Sequence, residues 1–392
     1  MLHRLFITIM SVVVCIAADA QEICTINGTI ADSKLENGKK IKEVSLIFTN
    51  ELGQPVEVAK TKVKKGKYSF SYELANDEPI LMYTIGGFGD GKSIEVFVEP
   101  GLVTVNTASA SMPCLSHVSG TPTNDAYSAY KSLLNNRQSE IDAAISRLEA
   151  SRGKEWLESA EGKSEVKRIK ALESISTQSQ ILKFLIEHNT SPMTPFLIER
   201  TLLPKLTSAY AEQMTKTISA LLHNHPYYHS LRNQVLSNNL KVGNEVPNIM
   251  LPLANGETKN LVDYRGKYVV LNYWKEGCEK SKEMLAELQN LYDVIKGNNA
   301  DFVIMSVSLG DDIEAWKSVI ESSKINREGW FHACDGLGAD SPAAKLAGVG
   351  NAPKIILIEP EGRAVSLDME IDEVVMRVEQ IIAGDLYYLD QE

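Results

Sequence analysis

A single cysteine, Cys278, stands where an apolar strand gives way to a helix-like segment in NYWKEGCEKSKEM, residues 272–284. The reactive form of cysteine is the thiolate, and the unpaired N–H groups and dipole of a helix N-terminus stabilise it. Glu276 and Glu279 oppose the thiolate while neighbouring lysines favour it, so the sequence predicts no large shift of the cysteine pKa. The chemistry available to these residue types is nucleophilic attack by sulfur, as in thiol–disulfide exchange.

The residue three positions after Cys278, where a dithiol site carries its second cysteine, is Ser281. A hydroxyl can donate a hydrogen bond to the thiolate, but it cannot resolve the mixed disulfide through which exchange proceeds. Three interpretations stay open: a monothiol that isomerises disulfides or captures partners, a degenerate site used only for binding, or a redox cycle completed by another thiol. Cys334 in WFHACDG is the candidate for that thiol; the alternative is a buried, unreactive cysteine.

Residues 1–20 are predicted to be a secretory signal peptide. Two basic side chains precede an apolar run of 13 residues (5–17), and an A-x-A sequence follows at 18–20. The run is too short to span a bilayer. We therefore expect export to the periplasm or cell envelope, where disulfides persist. Membrane association would require lipidation at Cys15, but Val14 departs from the small residue that a lipobox needs before its cysteine.

The organisation after residue 20 predicts an α+β multidomain protein. Residues 21–121 contain alternating runs such as KYSFSYEL (67–74) between turn residues, which indicates an antiparallel β-sandwich. Residues 122–240 change to helical spacing and are predicted to form a helical connector. Residues 241–392 alternate strands with helices, which indicates an α/β domain around a central sheet.

The two cysteines of the predicted sandwich, Cys24 and Cys114, lie on its first strand and just past its last strand. Pairing of cysteines is expected in an oxidising compartment. If these two strands are neighbours, a disulfide would connect the ends of the domain. The alternative is a pair of free, inert thiols.

Composition and two decoy motifs limit the partners. The 392-residue chain has a net charge of −11, which argues against nucleic acid or an anionic membrane as partner. GGFGDGKS (86–93) has the letters of a phosphate-binding loop, but β-like residues follow instead of the required helix, so no nucleotide is expected. HNHPYYH (223–229) has no accompanying cysteine or acidic residue, so we predict packing or surface histidines and no metal or other cofactor.

The C-terminal part, residues 243–390, resembles the exported thioredoxin-fold oxidoreductases of the TlpA/ResA type. GKYVVLNYW corresponds to the family's G-K-…-L-N-F-W strand before W-C-x-x-C, and GVGNAPKIILIEPEGR is similar to its G-V-x-x-x-P-T-x-x-L-I-D-x-x-G-K stretch. The resemblance implies that Cys278 is the attacking cysteine and that Trp274 is the tryptophan at the strand end. It also implies that Pro353 is a cis-proline whose loop faces the cysteine and pairs with the substrate backbone.

The sandwich and the helices resemble the N-terminal region, DUF4369, that is fused to such domains in Bacteroidetes-type bacteria. Besides Ser281, the chain departs from the family at Gly277, at Met284 (a glutamate position in some members) and at Ala352. The resemblance implies an oxidoreductase- or isomerase-like activity on protein thiols or disulfides of the cell envelope. The competing hypothesis is a non-catalytic thioredoxin-fold binding protein with a degenerate site.

Overall fold

The protein is described by a computed structural model over residues 22–50, 53–89 and 91–385, so the predicted signal peptide lies outside the described residues. Residues 22–49 with 55–131 form one compact unit, and the chain from residue 132 onward belongs to a second. Within these described ranges, no helix has both the length and the apolar character that crossing a membrane requires.

The first unit is a sandwich of two four-stranded sheets. Inward side chains from both sheets alternate with outward polar ones and form a single core, as the period-2 pattern predicts. The strands are β1 (Glu22–Asp32), β2 (Glu43–Thr49), β3 (Pro55–Lys62), β4 (Lys67–Leu74), β5 (Leu81–Gly86), β6 (Ile94–Val98), β7 (Gly101–Ser109) and β8 (His117–Ser119). Their orders are β4-β1-β7-β8 and β3-β2-β5-β6. All pairs are antiparallel except β1 with β7, which is parallel.

This parallel pair corrects the predicted disulfide between Cys24 and Cys114. The two strands are neighbours, but the register sets Cys24 opposite Gly101, the first residue of β7. Cys114 lies in the connection beyond the other end of that strand, between Ser109 and His117, and His117 pairs with Asn106, which is about 16 Å from Gly101 at 3.3 Å per residue. A disulfide needs Cα atoms within about 7 Å. Both thiols are free in the structure: Cys24 is buried in the core, and Cys114 is exposed.

In the described part of the chain, six α-helices precede the α/β domain; the first begins in the first unit, and the last, α6, contacts the α/β domain. They are α1 (Pro122–Arg152), α2 (Lys154–Glu158), α3 (Ala160–Glu187), α4 (Met193–Leu197), α5 (Ser208–Thr217) and α6 (Pro226–Asn238). On α6, the Asn233 side chain exchanges hydrogen bonds with the backbone of Asn248 at 3.2 and 2.9 Å, and Arg232 pairs with Glu245 at 2.7 Å. The division into a separate connector and C-terminal domain stays a prediction.

The α/β domain has a central five-stranded sheet with helices on both faces. Its elements are β9 (Met250–Pro252), β10 (Thr258–Asn260), β11 (Tyr268–Trp274), α7 (Glu279–Gly297), β12 (Phe302–Ser308), α8 (Ile313–Ser323), β13 (Trp330–Ala333), α9 (Pro342–Leu346), β14 (Lys354–Ile358), β15 (Ala364–Ser366) and α10 (Ile371–Ile382). The sheet order is β13-β12-β11-β14-β15. Central β11 is covered on both faces, which explains its almost continuous apolar sequence. The predicted fold class is confirmed.

Replacing Gly28 by Ala tests the packing of the sandwich core. A Cβ at this position would lie 1.9 Å from the ring of the buried Tyr68, so the ring or the strand has to move. Such overpacking costs about 1–3 kcal/mol, and we expect the free energy of unfolding in urea to fall by that amount. Gly297→Ala is the control, because no heavy atom lies within 4 Å of its added Cβ. Equal stability of Gly28→Ala and the wild type would contradict this packing.

Candidate functional site

Cys278 lies at the N-terminus of α7, as the sequence predicts. Strand β11 ends at Trp274, and a turn closed by the Cys278 N–H on the Lys275 carbonyl (3.3 Å) leads into the helix. Cys278 is the N-cap residue, with extended backbone dihedrals, and its carbonyl accepts the N–H of Lys282 at 3.1 Å. The thiol is partly exposed and adjoins the unpaired N–H groups of a 19-residue helix.

The pKa of the Cys278 thiol lies below its ordinary value, so the thiolate is favoured. The first cause is the hydrogen bond from the Ser281 hydroxyl, and the second is the hydrogen bond from the Ser281 backbone N–H. The backbone N–H and the positive charge of Lys280 act in the same direction, while burial acts against them. Hydrogen bonds to the charged form are the means by which a protein lowers the pKa of an acid.

Ser281 is fully buried and has its hydroxyl held in place. Its Oγ accepts the backbone N–H of Lys275 at 3.2 Å. With that acceptor position filled, the single hydroxyl proton is available for the sulfur of Cys278. The residue at the position of the missing thiol therefore connects the turn before the cysteine with the helix after it.

Glu276, which the sequence places two residues before Cys278, makes its hydrogen bond on the neighbouring strand. Its carboxylate is turned toward the neighbouring strand, where the Ser308 hydroxyl donates to Oε1 at 2.6 Å. Ser308 in turn accepts the N–H of Gly310 at 2.9 Å. The absence of a side chain at Gly310 makes room for this contact, since a Cβ there would lie 1.9 Å from the carboxylate. The parallel register that sets Trp274 opposite Ser308 is a tertiary feature that local sequence does not show.

Trp274 and Pro353 lie at the same end of the sheet as Cys278. Tyr273 on β11 pairs with Lys354 on antiparallel β14. Trp274 follows Tyr273 and Pro353 precedes Lys354, so these two residues adjoin the same end of the pair. Trp274 is buried in the core between the sheet and α7, and its Nε1 has no hydrogen-bond partner among the described residues. The Ala352–Pro353 peptide bond is cis, as the resemblance implies. Its role in binding a substrate backbone stays a prediction.

Cys334 follows β13, two strand positions away from β11, which corresponds to about 10 Å across the sheet. Its side chain is 7% exposed, and Sγ donates to the carbonyl of Gly310 at 3.9 Å. Burial raises the pKa of this thiol, and the charge of Glu276 acts in the same direction. A disulfide requires Cα atoms within about 7 Å, so this arrangement favours the buried, unreactive alternative over a resolving role.

The phosphate-loop-like motif, the histidine cluster and Met284 all have structural roles in the fold. The described residues of 86–93 connect the antiparallel strands β5 and β6, and no helix follows. In the histidine cluster, His225 Nδ1 accepts the N–H of Tyr227 at 3.2 Å, which caps α6, and His223 stacks on Tyr228. Across the described ranges, no group of three or more His, Cys, Asp or Glu is arranged to hold a metal ion. Met284 is a core residue of α7.

Two family descriptions match separate parts of the chain. Residues 24–127 match the domain of unknown function DUF4369, and residues 266–364 match a family described as thioredoxin-like. The first range covers the sandwich and the start of α1. The second runs from just before β11 to the first residue of β15, so it includes Cys278, Ser281 and Pro353.

The relatives and solved structures align with the C-terminal part. The thiol-disulfide oxidoreductase ResA of Bacillus subtilis is 30% identical over 125 residues, which cover 32% of this chain and 65% of that protein. ResA of Geobacillus kaustophilus is 31% identical over 70 residues, which are 18% of this chain and 39% of that protein. The chain thus spans less than two thirds of the length of the curated relatives it matches.

Two solved structures are also similar to part of the chain. One is the thioredoxin domain of a thiol-disulfide oxidoreductase from Bacteroides vulgatus, with 27% identity and a TM-score of 0.33 over 36% of this chain and 99% of that one. The other is a thiol-disulfide oxidoreductase from Bacteroides fragilis, with 28% identity and a TM-score of 0.32 over 35% of this chain and 98% of that one. Residues 24–127 thus match DUF4369, residues 266–364 match a thioredoxin-like family, and the C-terminal part is similar in sequence to the thiol-disulfide oxidoreductase ResA.

Proposed function

We propose that this protein carries out thiol–disulfide exchange on protein substrates, with Cys278 as the nucleophile and no internal resolving thiol. The observation that carries the proposal is the partly exposed cysteine at the start of α7, whose thiol pKa the adjacent, buried Ser281 lowers. The thiolate is the attacking species, and both the helix terminus and the serine favour it. The relatives named ResA are thiol-disulfide oxidoreductases, which supports the same class of chemistry.

The reaction that one thiol can complete is disulfide isomerisation. The Cys278 thiolate attacks one sulfur of a substrate disulfide, the substrate S–S bond breaks, and the released thiolate takes a proton from water. A second thiolate of the same substrate then attacks the mixed disulfide, which releases Cys278 and leaves a rearranged substrate disulfide. No electrons are gained or lost overall, so this cycle needs no electron donor. When the substrate offers no second thiol, the partner stays captured.

The groups around Cys278 have distinct roles in this proposal. Ser281 donates to the thiolate and keeps it ionised, and it also supports the turn through the Lys275 N–H. Pro353 and its loop, at the same end of the sheet, position the backbone of the substrate chain. Trp274 fills the core beneath the helix and fixes the strand end from which the turn begins.

We also propose that the chain is exported and acts on envelope proteins. The basic start, the short apolar run and the A-x-A sequence of residues 1–20 support this location. Thiol–disulfide exchange on structural disulfides is useful in an oxidising compartment, and disulfides are rare in the cytosol.

Replacing Cys278 by Ala should abolish the mixed disulfides that the wild-type protein forms with partners in an envelope extract. We expect non-reducing electrophoresis to show high-mass bands that disappear with dithiothreitol and with Cys278→Ala. Cys114→Ala is the control, because Cys114 is also an accessible thiol but lies outside the site. Adducts that persist in Cys278→Ala, or a Cys278 that resists alkylation in the folded protein, would favour the non-catalytic binding protein instead.

Replacing Ser281 by Cys should allow the site to release partners that Cys278 holds as mixed disulfides. The new thiol stands at the position that resolves mixed disulfides, so we expect fewer trapped adducts and a gain of insulin reduction with dithiothreitol as donor. Wild-type protein and Ser322→Cys are the controls, since Ser322 is exposed on α8 and bonds only to its own helix. Insulin reduction by the wild type at the level of Ser281→Cys would contradict the monothiol proposal.

Replacing Ser281 by Ala should shift the reactivity of Cys278 to higher pH. The largest cause of the lowered pKa is lost, so the thiolate forms later as pH rises and alkylation near neutral pH slows. The measurement is the iodoacetamide rate of the Cys278 peptide against pH, followed by mass spectrometry. Ser322→Ala should leave the profile unchanged. An identical profile for Ser281→Ala would exclude the serine as the group that stabilises the thiolate.

Expression of the full chain in a Gram-negative host should give a mature protein that begins near Gln21 in the periplasmic fraction. Cleavage is expected after Ala20, at the end of the A-x-A sequence. N-terminal sequencing and intact mass measure the start of the mature chain. A variant with Ala18 and Ala20 replaced by Lys should keep its N-terminus. A wild-type protein found intact in the cytosol would contradict export.

A further inference from the structure

The sandwich contains an open groove of about 970 Å³ between the edge strands β3 and β4. Strand β4 is at the edge of one sheet and β3 is at the edge of the other, and the turn between them is closed by reciprocal backbone hydrogen bonds between Lys64 and Lys67 at 2.9 and 3.0 Å. Parts of β1 and β2 complete the groove. The volume is in the range of small-molecule binding sites.

Lysine side chains give this groove a positive charge within an acidic protein. The segment 34–67 has nine lysines and four glutamates, whereas the whole chain has a net charge of −11. Four of these lysines line the groove: Lys60, Lys62, Lys64 and Lys67. Lys60 pairs with Glu43 at 3.3 Å. The other three form no ion pair within the described part of the chain, and Glu43 is the carboxylate that also lines the groove.

A buried tyrosine adds an unused hydrogen-bond donor to the wall of the groove. Tyr68 is 5% exposed, and its hydroxyl has no partner among the described residues. The hydroxyl end of the ring lies over Gly28, and both residues line the groove. Burial raises the pKa of Tyr68, so the group stays a neutral O–H donor. A buried polar group without a partner is costly, and each one in a native protein calls for an explanation such as a ligand.

We propose that the groove of the sandwich binds a ligand with several phosphate groups, held by Lys62, Lys64 and Lys67 and by the Tyr68 hydroxyl. Lysine ammonium groups bind phosphate as point charges, and a phosphate oxygen accepts from both ammonium and phenol donors. Asn27 and Ser69, which hydrogen-bond each other at 2.8 Å, add polar groups to the same groove. The phosphates belong either to a soluble compound or to a lipid headgroup.

The charge reversal Lys62→Glu with Lys64→Glu tests the lysines. The probe is sodium tripolyphosphate, titrated calorimetrically into the full-length protein at low salt. We expect at least about tenfold weaker binding for the double variant, because two attractions become repulsions. Lys39→Glu with Lys40→Glu is the matched control: it changes the net charge equally in the same segment, and neither residue lines the groove. No binding of the probe by the wild type, or equal weakening in both double variants, would overturn the proposal.

The Tyr68→Phe variant tests the Tyr68 hydroxyl as a hydrogen-bond donor to the ligand. The thermal midpoint and the tripolyphosphate affinity are both measured, because they should change differently. Loss of an unpaired buried hydroxyl should leave the thermal midpoint equal or higher, while loss of a donor to the ligand should weaken tripolyphosphate binding several-fold. Unchanged affinity would overturn the assignment of Tyr68 to the site.

Co-sedimentation with phosphatidylcholine vesicles containing phosphatidic acid identifies the source of the phosphate. Vesicle binding that is lost in Lys62→Glu/Lys64→Glu supports a headgroup, and tripolyphosphate binding without vesicle binding supports a soluble ligand.

Discussion

The pairing of β11 with a strand on each side is the constraint on which the candidate site depends. Parallel pairing with β12 brings Ser308 beside Trp274, and antiparallel pairing with β14 brings Pro353 to the same end of the sheet. The strand is buried on both faces, so a slip of register would expose apolar residues and move every group of the site. The sheet therefore fixes the position of the turn before α7 and, through it, the position of Cys278.

Two serine hydroxyl groups, those of Ser281 and Ser308, hold the turn between β11 and α7 by hydrogen bonds to different residues. Ser281 accepts the Lys275 N–H and lowers the pKa of the Cys278 thiol, while the Ser308 hydroxyl donates to the Glu276 carboxylate. The serine at the position of the missing thiol thus connects the turn with the helix, and the Glu276 carboxylate is turned toward the neighbouring strand.

The two halves of the chain differ in what they offer to a ligand. The thioredoxin-like domain presents one thiol with a lowered pKa at a helix terminus, on which the proposed exchange with a protein chain depends. The sandwich presents lysines at its edge strands and a buried tyrosine. Lysines on edge strands also prevent unwanted pairing of sheets, so the unpaired Tyr68 hydroxyl is the feature that distinguishes a binding groove from a protected edge.

The amino-acid sequence by itself determined the order of β, helical and α/β segments, because side-chain periodicity is a local property. It also determined that Cys278 precedes a helix and that no second thiol stands three residues later. Only the tertiary structure decided the parallel direction of β1 and β7, which separates Cys24 from Cys114. The same holds for the orientation of Glu276 toward Ser308. These features depend on which strands become neighbours and in which register, and contacts between residues distant in the chain set both.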